Sequence, residues 1–305
     1  MNLEVIIVSH GAEEFLRRCL RSLLKHSAAG ETRITVVDSG SPDSTPRMVE
    51  REFPGVRLIR QQNIGFSAAN NLALRESTAD AVLLLNPDTE IYAETLDAAL
   101  KRLWSDEGIG MVGVKLVTEN GELDHACKRS FPTPLSALAH FSGIGRGEDA
   151  SAALSQYRAT NLGDDEPGEV DAVNGAFMLC RMEAVRNVGL LDEGYWLYME
   201  DLDWCHRFWD AGWKVFYEPA GTALHVKGGS SAGRRAFRQE VAFHRGMARF
   251  YRRFDAPKHN PLVNTVIYAG IGAKLAASLA IMTLRGGMSR ATGERPDRMR
   301  DGTKN

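Results

Sequence analysis

Short apolar runs alternate with amphipathic segments over the first 118 residues, and this alternation limits the fold more than any other feature. The β-branched runs at 3–8 and 33–38 are typical of strands buried on both faces. Between them, the segment 13–26 places its apolar side chains on one helical stripe. This order of elements predicts a doubly wound, mostly parallel α/β sheet.

The alternation continues beyond the second strand. The sequence predicts further strands at 56–60, 81–86, 110–117, 176–180, 214–218 and 222–226, and helices near 66–77, 94–104 and 200–212. Prolines and glycines between 131 and 168 predict a long loop or lid with some helix. In sheets of this kind, ligands bind beyond the carboxyl ends of the strands.

Cysteine usage and the amino terminus bear on the compartment. The four cysteines, Cys19, Cys127, Cys180 and Cys205, form no CxxC pair, which argues against a disulfide framework or a zinc cluster. The apolar run at the amino terminus is too short for a signal peptide and lacks a preceding basic region. We therefore expect a cytoplasmic protein.

The carboxyl-terminal part has a charge opposite to that of the rest. From Lys227 onward there are 16 Lys and Arg against 5 Asp and Glu, although the whole chain has a net charge of −2. Within this part, 234–254 predicts an arginine-rich helix and 262–284 an apolar one with a single lysine. We expect an anionic partner, with 234–284 lying on the inner face of a membrane. Packing on the domain or on a second subunit is an equal alternative.

Polar side chains follow the first two strands at their carboxyl ends. These are Ser9 and His10 after the first, and Asp38, Ser41 and Asp43 after the second. No GxGxxG motif follows the first strand, which argues against a dinucleotide site. Acids and hydroxyls here can bind a pyrimidine base and a ribose. Turn and helix-cap roles are the alternative for either stretch alone.

Two later turns carry similar signals. In NIGFSAANN, Gly65 allows close backbone approach to a ligand and the helix start suits a phosphate, although a capped, tightly packed helix is the alternative. In LLLNPDTE, Asp88 ends a buried strand, where a carboxylate can bind Mg²⁺ or Mn²⁺. Capping of the next helix is the alternative for Asp88.

The stretch GYWLYMEDLDWCHRF, residues 194–208, places Glu200, Asp201 and Asp203 among aromatic residues. Burying adjacent acids is unfavourable. They therefore indicate either acids at a helix amino terminus or a general base at the mouth of a pocket. Asp203 fits a structural ion pair with Arg207 four residues later, and core packing is the expected role of Trp204.

These stretches, together with NGAFMLCRMEAVRNVGLLDEGYWLYMEDLDWCHRFWDAG and HVKGGSS, resemble in their order the family 2 inverting glycosyltransferases. The similarity is to the rhamnosyltransferase-like branch, runs from about 3 to 232, and is interrupted over 131–168. It implies a GT-A fold, which is a Rossmann-like mixed sheet flanked by helices. The nucleotide half would be 1–118 and the acceptor half 119–232, followed by a helical extension at 233–285 and a disordered tail at 286–305.

The resemblance also implies a role for each matching residue. Asp201 would be the catalytic base, with Glu200 beside it, and Asp88 and His225 would bind Mg²⁺ or Mn²⁺. The nucleotide residues would be Ser9, His10, Asp38, Ser41, Asp43, Asn63, Gly65 and Asn86. The acceptor or sugar residues would be Gly175, Ala176, Trp196 and Tyr198, and the diphosphate residues Lys227, Gly228, Gly229 and Ser230. Asn86 replaces the first acid of the family's DxD motif, so Asp88 is the only carboxylate there and metal binding would also need His225 and the donor diphosphate.

The implied activity is sugar transfer to a glycan or polyprenyl-linked acceptor in cell-surface polysaccharide synthesis. A dTDP-rhamnose donor is the first choice and a UDP-sugar the second. The alternative is a catalytically inactive protein of the same fold that binds sugar nucleotides or glycans. Nucleic-acid binding is not expected, because the arginine-rich helix lacks a recognised motif, and a homo-oligomer is left open.

Overall fold

A central sheet with helices packed against it realises the predicted alternation. The structure, a computed structural model, describes residues 1–26, 31–131, 162–226 and 237–291. The strands are β1 (Asn2–Ser9), β2 (Glu31–Ser39), β3 (Arg57–Gln61), β4 (Ala81–Leu85), β5 (Thr89–Ile91), β6 (Ile109–Val117), β7 (Lys128–Arg129), β8 (Gly168–Glu169), β9 (Ala172–Val173), β10 (Phe177–Arg181) and β11 (Lys214–His225). The helices are α1 (Glu13–Lys25), α2 (Thr45–Glu52), α3 (Phe66–Glu76), α4 (Thr95–Ser105), α5 (Met182–Val188), α6 (Glu200–Asp210), α7 (Phe237–Phe254) and α8 (Pro261–Ala291).

The sheet is parallel in one part and mixed in the other. In the described residues its order is β3-β2-β1-β4-β10-β6-β11-β5, and β8 also pairs with β11. The first four strands of this order are parallel, whereas β10 lies antiparallel between β4 and β6. The expectation of a mostly parallel sheet therefore holds for the nucleotide half. The whole sheet is mixed, as the GT-A resemblance implies.

The core forms where the apolar runs predicted it. All five residues of β4 are buried, and α1 buries Leu16, Cys19, Leu20 and Leu23 against the sheet. All four cysteines are unpaired and buried. This packing fixes the positions at which β1, β2 and β4 end.

The strands predicted at 214–218 and 222–226 are one strand, β11, with an irregularity in its pairing to β6. The register shifts between Glu218 and Thr222, where the chain contains Pro219 and Gly221. Proline cannot donate a hydrogen bond to a neighbouring strand, and glycine permits a bulge. For these reasons the sequence predicted two separate strands here. The strand nevertheless continues to His225, which places that histidine at the carboxyl end of β11.

The extension contains two helices with different surroundings. Phe250 and Phe254 of α7 are buried against the core, whereas α8 exposes Leu262, Val266 and Leu284. The segment Pro261–Leu284 is long and apolar enough to cross a membrane, and only 6% of its apolar window is buried. Helix α8 continues to Ala291, so the tail expected to be disordered from 286 begins as helix. Residues 292–305 lie outside the described residues.

Two other predictions concern segments that the structure does not describe. The loop or lid expected at 131–168 falls largely within 132–161. The diphosphate residues Lys227, Gly228, Gly229 and Ser230 fall within 227–236. Both predictions therefore stay predictions.

Candidate active site

The ends of β1 and β2 bring Ser9 and Asp38 together. These two residues are register partners in the parallel ladder, and both are buried. Ser9 Oγ and Asp38 Oδ1 have no hydrogen-bond partner among the described residues. Because an unpaired buried polar atom is unfavourable, this pair is suited to a polar ligand at the carboxyl edge of the sheet.

The turn after β2 uses most of its other polar groups within the protein. The amide of Ser41 donates to Asp38 Oδ2 at 3.3 Å, and Ser41 Oγ accepts from the amide of Gly11 at 2.8 Å. His10 Nδ1 lies 2.9 Å from the carbonyl oxygen of Ser39. The turn is therefore held rigidly beside Asp38.

Asp43 has the turn and cap role that the sequence left open. Its Oδ1 accepts from the amide of Thr45 at 3.0 Å and from Thr45 Oγ1, and Oδ2 accepts from the amide of Glu13. Burial raises the pKa of the Asp43 carboxyl, but these hydrogen bonds outweigh it and leave the pKa below its usual value. The described contacts of Asp43 thus favour the turn and cap alternative.

Gly65 approaches another part of the protein closely. Its φ is +96°, and a Cβ added there would lie 2.5 Å from Cδ1 of Trp196. The amide of Phe66 donates to the carbonyl oxygen of Trp196 at 2.7 Å, and Asn63 Oδ1 accepts from the amide of Gly65 at 3.3 Å. Gly65 is therefore needed for the nucleotide half to pack against Trp196. This favours the alternative in which the stretch is the start of a tightly packed helix.

Two hydrogen bonds donated by backbone amides connect the end of β4 with the acid pair. The amide of Asn86 donates to the carbonyl oxygen of Ala176 at 3.1 Å. The amide of Gly175 lies 3.3 Å from Asp201 Oδ2, to which it donates. Asn86, Gly175, Ala176 and Asp201 thus meet at the same edge of the sheet as Ser9 and Asp38, because β1 and β4 are neighbouring strands.

Asp201 is oriented by its neighbours and remains partly accessible. Arg129 Nη2 lies 2.6 Å from Asp201 Oδ2 and also donates to the carbonyl oxygen of Val173. The amide of Leu202 donates to Asp201 Oδ1 at 2.9 Å. The Asp201 side chain keeps 13% of its surface exposed, so it can contact a substrate.

Glu200 has a different environment from Asp201. It is buried, and its Oε2 has no hydrogen-bond partner in the described part of the chain. Burial, followed by the charge of Asp201, raises the pKa of Glu200 from 4.5 to about 8. At neutral pH, Glu200 therefore holds its proton.

Replacing Glu200 by glutamine should reduce the pH dependence of stability. Between pH 4.5 and about 8 the native protein holds a proton that the unfolded chain releases, so stability falls as pH rises. The slope from this group is at most about 1.4 kcal/mol per pH unit. Glu200→Gln keeps the neutral shape, and its melting temperature should fall less between pH 5.5 and 8.5. Exposed Glu119→Gln is the control, and parallel curves for Glu200→Gln and the unsubstituted protein would contradict the assignment.

Asp88 and His225 lie close together, with Asp124 behind the histidine. His225 Nε2 is 3.7 Å from Asp88 Oδ1, and His225 Nδ1 is 2.9 Å from Asp124 Oδ2. All three side chains are largely buried. If Nδ1 donates to Asp124, the lone pair of Nε2 faces a carboxylate oxygen. That arrangement is favourable with a cation between the two atoms, and imidazole and carboxylate are suitable ligands for a divalent ion.

The aromatic residues of this region have separate roles. Trp204 is fully buried and donates to the carbonyl oxygen of Gly189, which confirms its role in the core. Asp203 pairs with Arg207 at 2.7 Å, as the spacing predicted. Arg238 lies 4.1 Å from the centroid of the Trp196 ring, and Tyr198 contacts Phe243 edge to face. The rings of Trp196 and Tyr198, which we expect to contact a sugar, thus pack against side chains of α7.

Two residues of the site escaped the sequence analysis. Arg129 belongs to the two-residue strand β7, and Asp124 caps a short 3₁₀ turn by accepting from the amide of Ala126. Neither residue belongs to a recognisable motif. They reach Asp201 and His225 from 72 and 101 residues away in sequence, so only the fold brings these pairs together.

The fold and this edge of the sheet define a GT-A glycosyltransferase. The sequence profile described as "Glycosyl transferase family 2" matches residues 4–187, and the chain belongs to this family. It is 31% identical over 245 residues to N-acetylglucosaminyl-diphospho-decaprenol L-rhamnosyltransferase of Mycobacterium tuberculosis, covering 75% of this chain and 77% of that one. Rhamnosyltransferase WbbL of Escherichia coli (strain K12) is 28% identical over 228 residues, covering 72% of this chain and 82% of that one.

A solved structure supports the fold independently. The crystal structure of GalNAc-T7 with UDP, GalNAc and Mn²⁺ matches with a TM-score of 0.61 at 14% identity. The match covers 85% of this chain but only 49% of that one, so this chain spans about half of its length. At this identity the match concerns the fold alone, and it confirms the GT-A architecture expected from the sequence.

Proposed function

We propose that the enzyme transfers a sugar, with rhamnose as the first choice, from a nucleoside diphosphate to a polyprenyl-linked or glycan acceptor, with inversion. The observation that carries this proposal is the meeting of Asp201, Gly175 and Asn86 at the sheet edge that also holds Asp38. The relative named for rhamnose transfer to N-acetylglucosaminyl-diphospho-decaprenol supports the acceptor class.

The nucleobase would bind at Ser9 and Asp38. Uracil and thymine each present an N3–H donor, and Asp38 Oδ1 is a buried acceptor with no partner in the described residues. Ser9 Oγ can donate to a base carbonyl beside it. His10, Ser41 and Asn63 lie on the neighbouring turns and would contact the ribose or the base. The site therefore suits dTDP and UDP donors.

Replacing Asp38 by asparagine should weaken binding of dTDP and UDP by about 10- to 100-fold. The asparagine side chain has no negative charge, and in one of its two orientations its NH₂ group faces the N3–H donor of the base. The substitution therefore removes a strong hydrogen bond. Asp43→Asn is the matched control, because its carboxylate binds Thr45 and Glu13, and its affinity should change by less than about threefold. Isothermal titration calorimetry measures both, and equal affinities for the two variants would refute base recognition by Asp38.

Asp88 and His225 would hold a divalent ion, Mg²⁺ or Mn²⁺, with Asp124 fixing the histidine. When bound, the ion would neutralise charge on the departing diphosphate. The described residues contain no group of three or more His, Cys, Asp and Glu side chains placed to hold a metal, so the donor diphosphate and water would complete the ligand set. Lys227, Gly228, Gly229 and Ser230 follow His225 in sequence and would contact the same diphosphate.

Asp201 would act as the general base. It accepts the proton of the acceptor hydroxyl while the hydroxyl oxygen forms a bond to the anomeric carbon. The bond from that carbon to the diphosphate oxygen breaks on the opposite face, which inverts the anomeric centre. Arg129 and the amide of Gly175 fix the carboxylate at the distances given above. Gly175, Ala176, Trp196 and Tyr198 would border the acceptor and the sugar.

The extension would place the enzyme at the cytoplasmic face of a membrane. The apolar residues exposed by α8 and the arginines before it suit an acidic lipid surface. This proposal keeps the division into a transferase domain at 1–232 and an extension at 233–285. Sedimentation with vesicles containing anionic lipid tests it. If the protein does not bind the vesicles and forms a homodimer whose interface buries α8, packing on a second subunit is favoured instead.

A transfer assay tests the proposed function directly. dTDP-rhamnose and a panel of UDP-sugars are supplied with N-acetylglucosaminyl-diphospho-polyprenol, with Mn²⁺ or EDTA, and the product is analysed by mass spectrometry. NMR of the product gives its anomeric configuration, which should be opposite to that of the donor. Nucleotide binding without transfer from any donor would instead indicate an inactive binding protein.

A further inference from the structure

A strained turn lies directly before the acid pair. Tyr198 and Met199 both have left-handed backbone conformations, with φ of 70° and 73°. Side chains disfavour this region, and residues remain there only where their surroundings hold them. Met199 is the residue before α6. The turn therefore sets the direction in which Glu200 and Asp201 enter the site.

Helix α7 covers this turn at Gly246. A Cβ added to Gly246 would lie 3.0 Å from the carbonyl oxygen of Tyr198 and 3.1 Å from Cγ of Met199. One turn earlier on α7, Phe243 contacts the Tyr198 ring with centroids 5.9 Å apart. The missing side chain at Gly246 is what allows the helix to lie against the backbone of the turn.

Ion pairs bind α7 to the chain on both sides of the turn. Before the turn, Arg249 binds Asp192 through two hydrogen bonds of 2.8 and 2.9 Å. After the turn, Arg253 Nη1 lies 3.0 Å from Oδ2 of Asp203, a fully buried residue of α6. Arginines that the sequence suggested for an anionic partner are thus partly used within the protein.

We infer that Gly246, Arg249 and Arg253 are positioning residues for sugar transfer. They hold the Tyr198–Met199 turn in its strained conformation and thereby fix the Asp201 carboxylate against Arg129 and Gly175. This inference rests on the proposed role of Asp201 as the base. It makes the extension helix α7 part of the catalytic apparatus through its contacts with the turn.

Gly246→Ala tests this inference, with Gly270→Ala as its matched control. Alanine favours a helix more than glycine does, so neither change should weaken its helix. Nothing lies within 4 Å of a Cβ at Gly270, whereas the methyl group at position 246 would push against the carbonyl oxygen of Tyr198, 3.0 Å away, and shift the turn by a few tenths of an ångström. With dTDP-rhamnose, kcat of Gly246→Ala should fall at least 10-fold. Its Kd for dTDP should stay within twofold, and Gly270→Ala should match the unsubstituted enzyme.

Two further measurements separate positioning from general damage. Hydrogen exchange at the amides of 196–201 should become faster in Gly246→Ala and not in Gly270→Ala. In an Asp201→Asn background, Gly246→Ala should cause no additional loss of transfer, because the group that it misplaces is already absent. Arg253→Gln should reproduce the fall in kcat if Gly246→Ala does not fold. Arg186→Gln, at an exposed position of α5, is its control.

The outcomes distinguish the two levels of the proposal. Full transfer by both Gly246→Ala and Arg253→Gln would overturn the positioning role and leave the proposed function intact. Parallel loss of dTDP binding and kcat would also overturn it, because the effect would then be a general one. Absence of transfer by the unsubstituted enzyme with every donor would overturn the proposed function and this inference together.

Discussion

Asp201→Asn is expected to lower kcat for sugar transfer by about 10²- to 10⁴-fold, the range that a general base contributes. The amide cannot accept the proton of the acceptor hydroxyl, although it has almost the same shape as the carboxylate. Binding of dTDP should stay within about twofold, because the proposed base and ribose contacts are at the ends of β1 and β2. Transfer assays and calorimetry on the same preparation measure both quantities.

Asp210→Asn provides the control on the same helix. Asp210 ends α6 and pairs with His206 at an exposed position, so its loss should leave transfer near the level of the unsubstituted enzyme. If Asp201→Asn retains more than about a tenth of the activity, the base must be another group. Glu200 would then be the first to test, despite the burial that keeps it protonated at neutral pH.

Asp88→Asn is expected to weaken Mn²⁺ binding by at least about 10-fold and to lower transfer in proportion at limiting metal. The substitution removes the only carboxylate at the position of the family's DxD motif, because Asn86 replaces the first acid of that motif. Asp124→Asn should have a related effect, because loss of the group that orients a histidine ligand costs about 10- to 100-fold in metal affinity. Electron paramagnetic resonance of Mn²⁺ with dTDP measures affinity independently of turnover.

Exposed Asp97→Asn on α4 is the control for the change of one negative charge. Its Mn²⁺ affinity should equal that of the unsubstituted protein. If EDTA changes neither dTDP binding nor turnover, the assignment of Asp88 and His225 to a metal is wrong. The Asp124–His225 pair would then have to act on the diphosphate without an ion.

The sequence was informative wherever a function depends on neighbours along the chain. The i, i+4 spacing of Asp203 and Arg207 predicted their ion pair correctly, because helix geometry alone fixes that distance. The ends of the buried strands predicted where polar residues collect, and Ser9 and Asp38 lie there as register partners. The same reasoning left Asp43 open between ligand and turn, and its hydrogen bonds with Thr45 and Glu13 in the structure favour the turn.

Long-range contacts were not readable in the same way. Arg129 and Asp124 have no motif of their own. Arg129 joins the site because β7 pairs with β9, and Asp124 joins it because β11, which ends at His225, pairs with β6. Gly65 looked like a ligand-facing glycine, yet it contacts Trp196. A single sequence contains no record of which surface a glycine will meet, so its close approach cannot be assigned before the fold is known.

By itself, the sequence determined the α/β class, the strand ends and the acid pair, because hydrophobic period and local spacing depend only on neighbouring residues. The tertiary structure alone decided that Glu200 is buried while Asp201 stays accessible beside Arg129. It also decided that α7 holds the turn before them. These properties depend on which surfaces exclude water and on charges brought together across the fold, and neither is encoded in any short stretch of the chain.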